Sequence, residues 1–310
     1  MNKNNLHGLF LLIIVFFCVT LLGNGVVLAQ PHYMATIHPL TEILKKLTQG
    51  RAGVNRLLAP GISPHTFDPK PSDLKLLEGA AALFYVGEGL DKEWVDRLPA
   101  LKKVEMLSLV PPAYRLKMVE HFHETTEQNF VDEKNGHVEH PSPTDPHFWT
   151  DPHLVREMLP GLVQILSSLD QDGRKIYEQN AAIFTEELEQ LDRDLTEQLK
   201  PLSGRSFFLF HPSFQYFFKR YRLELAGVIE PFPGKEPSPK ALYKIVQKIK
   251  QTGAPAVFTE PQLPRRPATV LAEAAGVEVF MVDPIGGTSG RMTYEQLLRF
   301  NADIFRKAYE

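Results

Sequence analysis

From residue 33 onward, short apolar runs of strand length alternate with stretches whose apolar residues recur every three or four positions, and this alternation restricts the fold more than any single motif does. Residues 33–37, 56–58 and 82–86 are predicted strands. Between them, residues 39–49 carry Leu40, Ile43, Leu44 and Leu47 on one helical face, and a helix with Leu74, Leu76 and Leu77 is expected after a cap at Ser72 and before Gly79. Strand, helix, strand at this spacing requires parallel pairing, because parallel neighbours need a crossover. The same rhythm returns after Pro201, with strands predicted over 207–210, 223–229, 256–258 and 277–282 and helices over 214–221, 239–252, 266–275 and 293–308.

Two segments separate these halves. Residues 115–146 are rich in Glu, His and Pro with little periodic apolar content, and read as a surface loop. After it, Asp151-Pro152 is an N-cap with proline in the first helical position, opening a helix through Leu166. Residues 172–199 form one long amphipathic pattern built on Ile176, Ala181, Phe184, Leu188, Leu191, Leu195 and Leu199. The expected fold is α/β: a lobe over 30–171, a linking helix over 172–199 and a second lobe over 200–310. Two lobes with parallel sheets, joined by one long rigid helix, leave a cleft where ligands bind.

Residues 1–29 are expected to lie outside this fold. Lys3 precedes an apolar run from Leu9 to Leu22, and Val27-Leu28-Ala29 suits a cleavage site, the pattern of a secretory signal peptide. The competing reading is an uncleaved membrane anchor, which Gly23-Asn24-Gly25 interrupts. Cys18 is the one cysteine and falls within this segment. The remainder has no thiol, so a transition-metal site there would be built from imidazole and carboxylate. With 34 basic and 37 acidic residues the chain offers no electrostatic footprint for nucleic acid.

Histidine is therefore the residue to follow. His65 lies beyond Pro60-Gly61, His147 follows Asp145-Pro146, and His211 ends the 207–210 strand; all three are expected in turns at carboxyl ends of strands, where open parallel sheets collect ligands. Asp283 stands in the same kind of position before Pro284. Three imidazoles and one carboxylate suit Zn²⁺ better than Mn²⁺, which prefers more oxygen. The 25 prolines exceed the usual share of about 5%, and several flank these positions, where they stiffen the loops before an ion arrives. His38 and His153 are assigned to helix starts.

The segments from Pro60 to Pro69 with Pro71-Ser72-Asp73-Leu74, from Asp145 to Pro152, His211-Pro212-Ser213-Phe214-Gln215-Tyr216-Phe217, Phe258-Thr259-Glu260-Pro261-Gln262 and Val282-Asp283-Pro284-Ile285-Gly286 together resemble the metal-binding proteins of zinc and manganese ABC importers, the TroA-like solute-binding family, over nearly the whole chain after residue 30. The resemblance implies a periplasmic protein, expected as a monomer, that carries a divalent ion to a membrane permease. It implies His65, His147 and His211 as ligands, with Asp283 or water as the fourth. Manganese members commonly have a carboxylate where His211 stands, which favours zinc; some zinc members have a carboxylate beside the first histidine, where this chain has Pro64. Zinc members often carry a His-rich acidic loop, and His121, His123, His137 and His140 are the matching auxiliary candidates.

Other readings remain at this point. A zinc hydrolase could use Glu260 as general base, but no HExxH helix or nucleophile elbow accompanies it. A manganese-specific protein of the same family is a second alternative. Gly286-Gly287-Thr288-Ser289-Gly290 has neither the dinucleotide nor the P-loop pattern and reads as a connector.

Overall fold

The computed structural model describes residues 30–99, 101–118, 143–230 and 237–310. Strands β1 (His32–Ala35), β2 (Gly53–Arg56), β3 (Ala82–Tyr85) and β4 (Lys103–Glu105) form a parallel sheet in the order β2-β1-β3-β4. Strands β5 (Ser206–Leu209), β6 (Glu224–Val228), β7 (Ala256–Thr259) and β8 (Glu278–Met281) form a second with the equivalent order β6-β5-β7-β8. Both sheets are crossed by helices: α1 (His38–Thr48), α2 (Pro71–Leu76) and α3 (Lys92–Asp96) in the first half, and α6 (Gln215–Tyr221), α7 (Pro239–Thr252), α8 (Arg265–Ala275) and α9 (Tyr294–Lys307) in the second. Between the halves lie α4 (Pro152–Leu169) and α5 (Arg174–Leu199).

The alternating pattern identifies most of these elements, and its misses have local causes. β2 begins three residues before the predicted run, because its exposed Gly53 and Asn55 hide the strand. Leu57 and Leu58 follow it, still donating to Ala35 and Thr36 backbone oxygens. Lys70, not Ser72, is the cap of α2: its N–H donates to Asp73 Oδ2 at 2.9 Å, with Pro71 at the first helical position. β4 and α3 were not anticipated, since three and five residues carry too little periodicity. Asp151 caps α4 as expected, accepting from the His153 N–H at 2.8 Å.

Helix α5 is 26 residues long, about 39 Å at 1.5 Å per residue. It buries Tyr177, Phe184, Leu188, Leu191, Leu195 and Leu199 while packing against α4, α1 and α9. One apolar core consequently runs from Tyr33 and Phe84 in the first sheet, through Leu188 and Leu195, to Phe258 and Phe305 in the second. A smaller cluster around Phe208, Ile245, Val257 and Leu271 fills the outer face of the second sheet. Lys46 on α1 reaches Glu187 on α5 at 2.6 Å and Glu295 on α9 at 2.8 Å, tying both halves to the same helix.

Candidate metal centre

The two sheets present their carboxyl ends to each other, and three imidazoles meet there. One ring nitrogen from each of His65, His147 and His211 lies within 4.8 Å of the others. His65 Nε2 and His211 Nε2 are 3.1 Å apart, and the ring centroids are separated by 4.9 to 5.6 Å. Together with Leu90, Glu260, Gln262 and Ile285 the three rings line a cavity of about 10 Å³, space for about one water-sized body. His147 and His211 are buried and His65 is partly exposed.

Each ring reaches this point differently. His211 sits two residues beyond β5, as its sequence position suggests, and His65 lies nine residues beyond β2 in the proline-rich loop. His147 departs from expectation: among the described residues no strand leads into it, only an isolated bridge between Lys117 and Thr144. It begins a short 3-10 turn, Phe148–Thr150, that leads into α4. Three polar contacts orient the rings. His147 Nδ1 is 2.8 Å from Asp145 Oδ1, His211 Nδ1 is 3.4 Å from the Glu230 carbonyl, and His65 bonds the Gly89 backbone. A ring whose Nδ1 is engaged offers Nε2 to an ion, and such outer partners tune metal sites strongly.

Burial favours the neutral form of His65 and His211. The His65 imidazole is pushed down to about 3 by desolvation and then by His147, and His211 lies well below the ordinary value through desolvation, then His65 and His147. Neutral imidazole is the ligating form. On the wall of the cavity Glu260 accepts a hydrogen bond from Ser213 Oγ at 2.5 Å. Full burial, with a smaller contribution from the charge of Asp283, pushes its carboxyl up to about 8.

Asp283 is buried close by but stands outside the three-imidazole group. Its Oδ1 accepts from the Ile285 N–H at 3.0 Å, the Gly286 N–H at 2.9 Å and Gln262 Nε2 at 3.0 Å, while Oδ2 faces Arg291 at 3.3 Å. The carboxylate thus caps its own Asp-Pro turn, an alternative that the sequence position alone cannot distinguish from ligation. His38 Nε2 lies 3.0 Å from the Met292 carbonyl and His153 lies beside Arg156, so neither joins the cluster. His121, His123, His137 and His140 fall outside the described residues.

A family model described as the periplasmic zinc-uptake complex component A, ZnuA, matches residues 34–308. The chain belongs to this family. It is 29% identical to the high-affinity zinc uptake system protein ZnuA of Brucella abortus, with 95% of this chain and 96% of that protein covered. A crystal structure of ZnuA shares its fold with a TM-score of 0.76 and 29% identity, covering 90% of this chain and 99% of that one. A deletion mutant of ZnuA with zinc bound gives 0.74 at 27% identity, covering 90% and 97%.

Within this zinc-uptake fold, several polar side chains around the rings escaped sequence reasoning. Asp145 is wholly buried and accepts from the His147 N–H, from His147 Nδ1 and, across the cleft, from Gln215 Nε2 at 2.7 Å. Its place two residues before a candidate ligand was the available signal. Ser213, Gln215 and Gln262 stand in the family-like segments, but no role could be given them there, because they come together only when β5, β7 and the 143–147 segment converge. Trp149 was quoted only as part of a motif; its indole donates to the Pro284 carbonyl at 2.8 Å and closes one side of the cleft.

Proposed function

We propose that this chain is a periplasmic solute-binding protein that holds one Zn²⁺ between its lobes through His65, His147 and His211 and delivers it to the membrane permease of an ABC importer. The observation that carries the reading is the distance of 3.1 Å between His65 Nε2 and His211 Nε2, with His147 completing the cluster. Two ligands on a tetrahedral ion with Zn–N of 2.0–2.1 Å stand roughly 3.3 Å apart, so His65 and His211 already stand at about ligand spacing. One ligand comes from the loop after β2, one from the turn before α4 and one from two residues beyond β5, so the ion would join the two halves at the cleft in addition to their shared core. Asp283 is a weaker candidate for the fourth position than water, since four donors already surround its carboxylate.

The same cavity weighs against a hydrolase. Glu260, the candidate general base on its wall, keeps its proton up to about pH 8 and is committed to Ser213. The rest of the proposal follows the sequence: residues 1–29 as an export signal, 30–171 and 200–310 as the lobes, and a monomeric carrier whose ion is its cargo. Metal analysis of the secreted protein, coupled to zinc–manganese competition, tests it. One equivalent of zinc is expected, and His211→Ala should weaken zinc binding by at least 100-fold and narrow the margin over manganese. Unchanged competition curves would sink the assignment.

A further inference from the structure

Gln262, three residues beyond β7, lines the three-imidazole cavity. Its Nε2 donates to Asp283 Oδ1 at 3.0 Å. A carboxylate only accepts, so this bond fixes which end of the amide faces Asp283 and leaves the carbonyl turned the other way. That oxygen, Oε1, is buried and has no hydrogen-bond partner among the described residues. An acceptor left unpaired in a protein interior costs roughly 1–3 kcal/mol, and in native folds such an atom marks the place of a water, an ion or a ligand.

The support beneath the amide is rigid. Asp283 is clamped by the Ile285 and Gly286 N–H groups and by Arg291, and its own N–H donates to Asn301 Oδ1 at 2.7 Å. Asn301 in turn donates to the Asp283 carbonyl at 2.8 Å and is wholly buried on α9. Four segments of the second half therefore converge to hold one neutral acceptor at the wall of a cavity whose other face is three imidazoles.

We propose that Gln262 sets the fourth coordination position: a water bound to the ion held by the three histidines donates a hydrogen bond to Gln262 Oε1, and Asp283 acts by positioning Gln262 instead of ligating. This rests on the zinc reading above and deepens it. A neutral amide oxygen holds a water on the ion without adding charge or a further anionic oxygen ligand. That keeps the set at three nitrogens and one oxygen, which suits zinc, whereas manganese gains from carboxylate oxygen. Gln262 is accordingly a specificity-determining residue that the ion itself does not touch.

Cobalt substitution tests this, because its visible absorption reports coordination number and ligand set. The wild type should take up one equivalent of Co²⁺ with the intense bands of a four-coordinate site. Gln262→Met, which keeps the volume and removes the acceptor, should still bind one equivalent but with shifted bands and zinc affinity reduced about tenfold, the lower range for loss of an outer-shell partner. Gln262→Glu keeps an acceptor but replaces the donor that faces Asp283 with a second carboxylate oxygen; it should still bind one equivalent of Co²⁺ with shifted bands and a narrowed zinc–manganese margin, and it keeps the test open if the methionine variant does not fold. Asp283→Asn should shift the bands in the same direction as Gln262→Met. Cobalt spectra, zinc affinity and zinc–manganese margin all unchanged in both Gln262 variants would overturn the proposal. If instead the wild type binds no metal, or His147→Ala binds it normally, the zinc reading itself has failed, a result distinguishable from the first.

Discussion

Replacing Asp145 separates two things that its carboxylate does. It receives two bonds from His147, at 3.0 Å from the backbone N–H and 2.8 Å from Nδ1, and one at 2.7 Å from Gln215 across the cleft. Metal binding at His147 Nε2 requires the proton on Nδ1, and Asp145 selects that tautomer. In Asp145→Ala the free protein relaxes to whichever tautomer finds a partner, but the loaded protein must keep a buried Nδ1–H with none. That cost falls on the bound form alone and amounts to about 1–3 kcal/mol, or about 5- to 150-fold in affinity at 1.4 kcal/mol per decade. Asp145→Asn behaves differently. Its amide oxygen can accept both His147 bonds, and its nitrogen can donate to a rotated Gln215 amide, so only the charge is lost and a change of no more than about tenfold is expected. Competition against a chelating dye at pH 7, with stoichiometry measured in parallel, distinguishes the variants. Equal losses in the alanine and asparagine variants, or an alanine variant within twofold of wild type, would refute the tautomer argument.

Two further outcomes follow from the interior. Glu260 keeps its proton in the folded state up to about pH 8 and gives it up near the ordinary carboxyl value of about 4.3 when unfolded. Its contribution to stability is full below the unfolded value and is lost as pH rises through 8. The metal-free protein should therefore melt at progressively lower temperature between pH 5 and pH 8, and Glu260→Gln should flatten that slope; an unaltered slope would show that another group carries it. Phe305 is wholly buried among Phe207, Phe214, Phe217, Phe218 and Phe258, at centroid distances of 5.1 to 5.6 Å. Phe305→Ala should cost about 3–5 kcal/mol, seen as a melting temperature lower by on the order of 10 °C, and a loss under about 1 kcal/mol would mean that the cluster repacks.

The fold was legible wherever an element was long enough to show a period. α5 declares itself through Leu188, Leu191 and Leu195, whereas β4 offers one buried residue, Val104. The histidines were legible for a chemical reason: a region without cysteine has few ways to hold a soft ion. Their partners were not. A carboxylate before proline looks the same whether it ligates or caps its turn, and only coordinates reveal that four donors surround Asp283. Glu260 and Gln262 are similarly opaque, because what matters about them is the number of partners that they lack or possess.

The contacts across the cleft bear on how the ion could be released. Trp149 donates to the Pro284 carbonyl, Tyr294 to the Trp149 carbonyl at 2.7 Å, Tyr216 to the Asp145 carbonyl at 2.9 Å and Gln215 to the Asp145 carboxylate. At a net 0.5–1.5 kcal/mol each, these four bonds alone contribute on the order of 2–6 kcal/mol, and the apolar core continues beneath them through α5. Wide separation of the lobes would break all of them and expose part of that core. The His65 loop is tied within its own half, by Trp94 Nε1 donating to the Pro64 carbonyl at 3.0 Å and by the bond from His65 to the Gly89 backbone; His65 is the partly exposed member of the trio, on a segment without regular secondary structure. Withdrawing that loop would break those two bonds and, on the proposed function, remove one of the three ligands, while leaving the four cross-cleft bonds intact. On the proposed function, withdrawing the His65 loop would therefore cost less than separating the lobes.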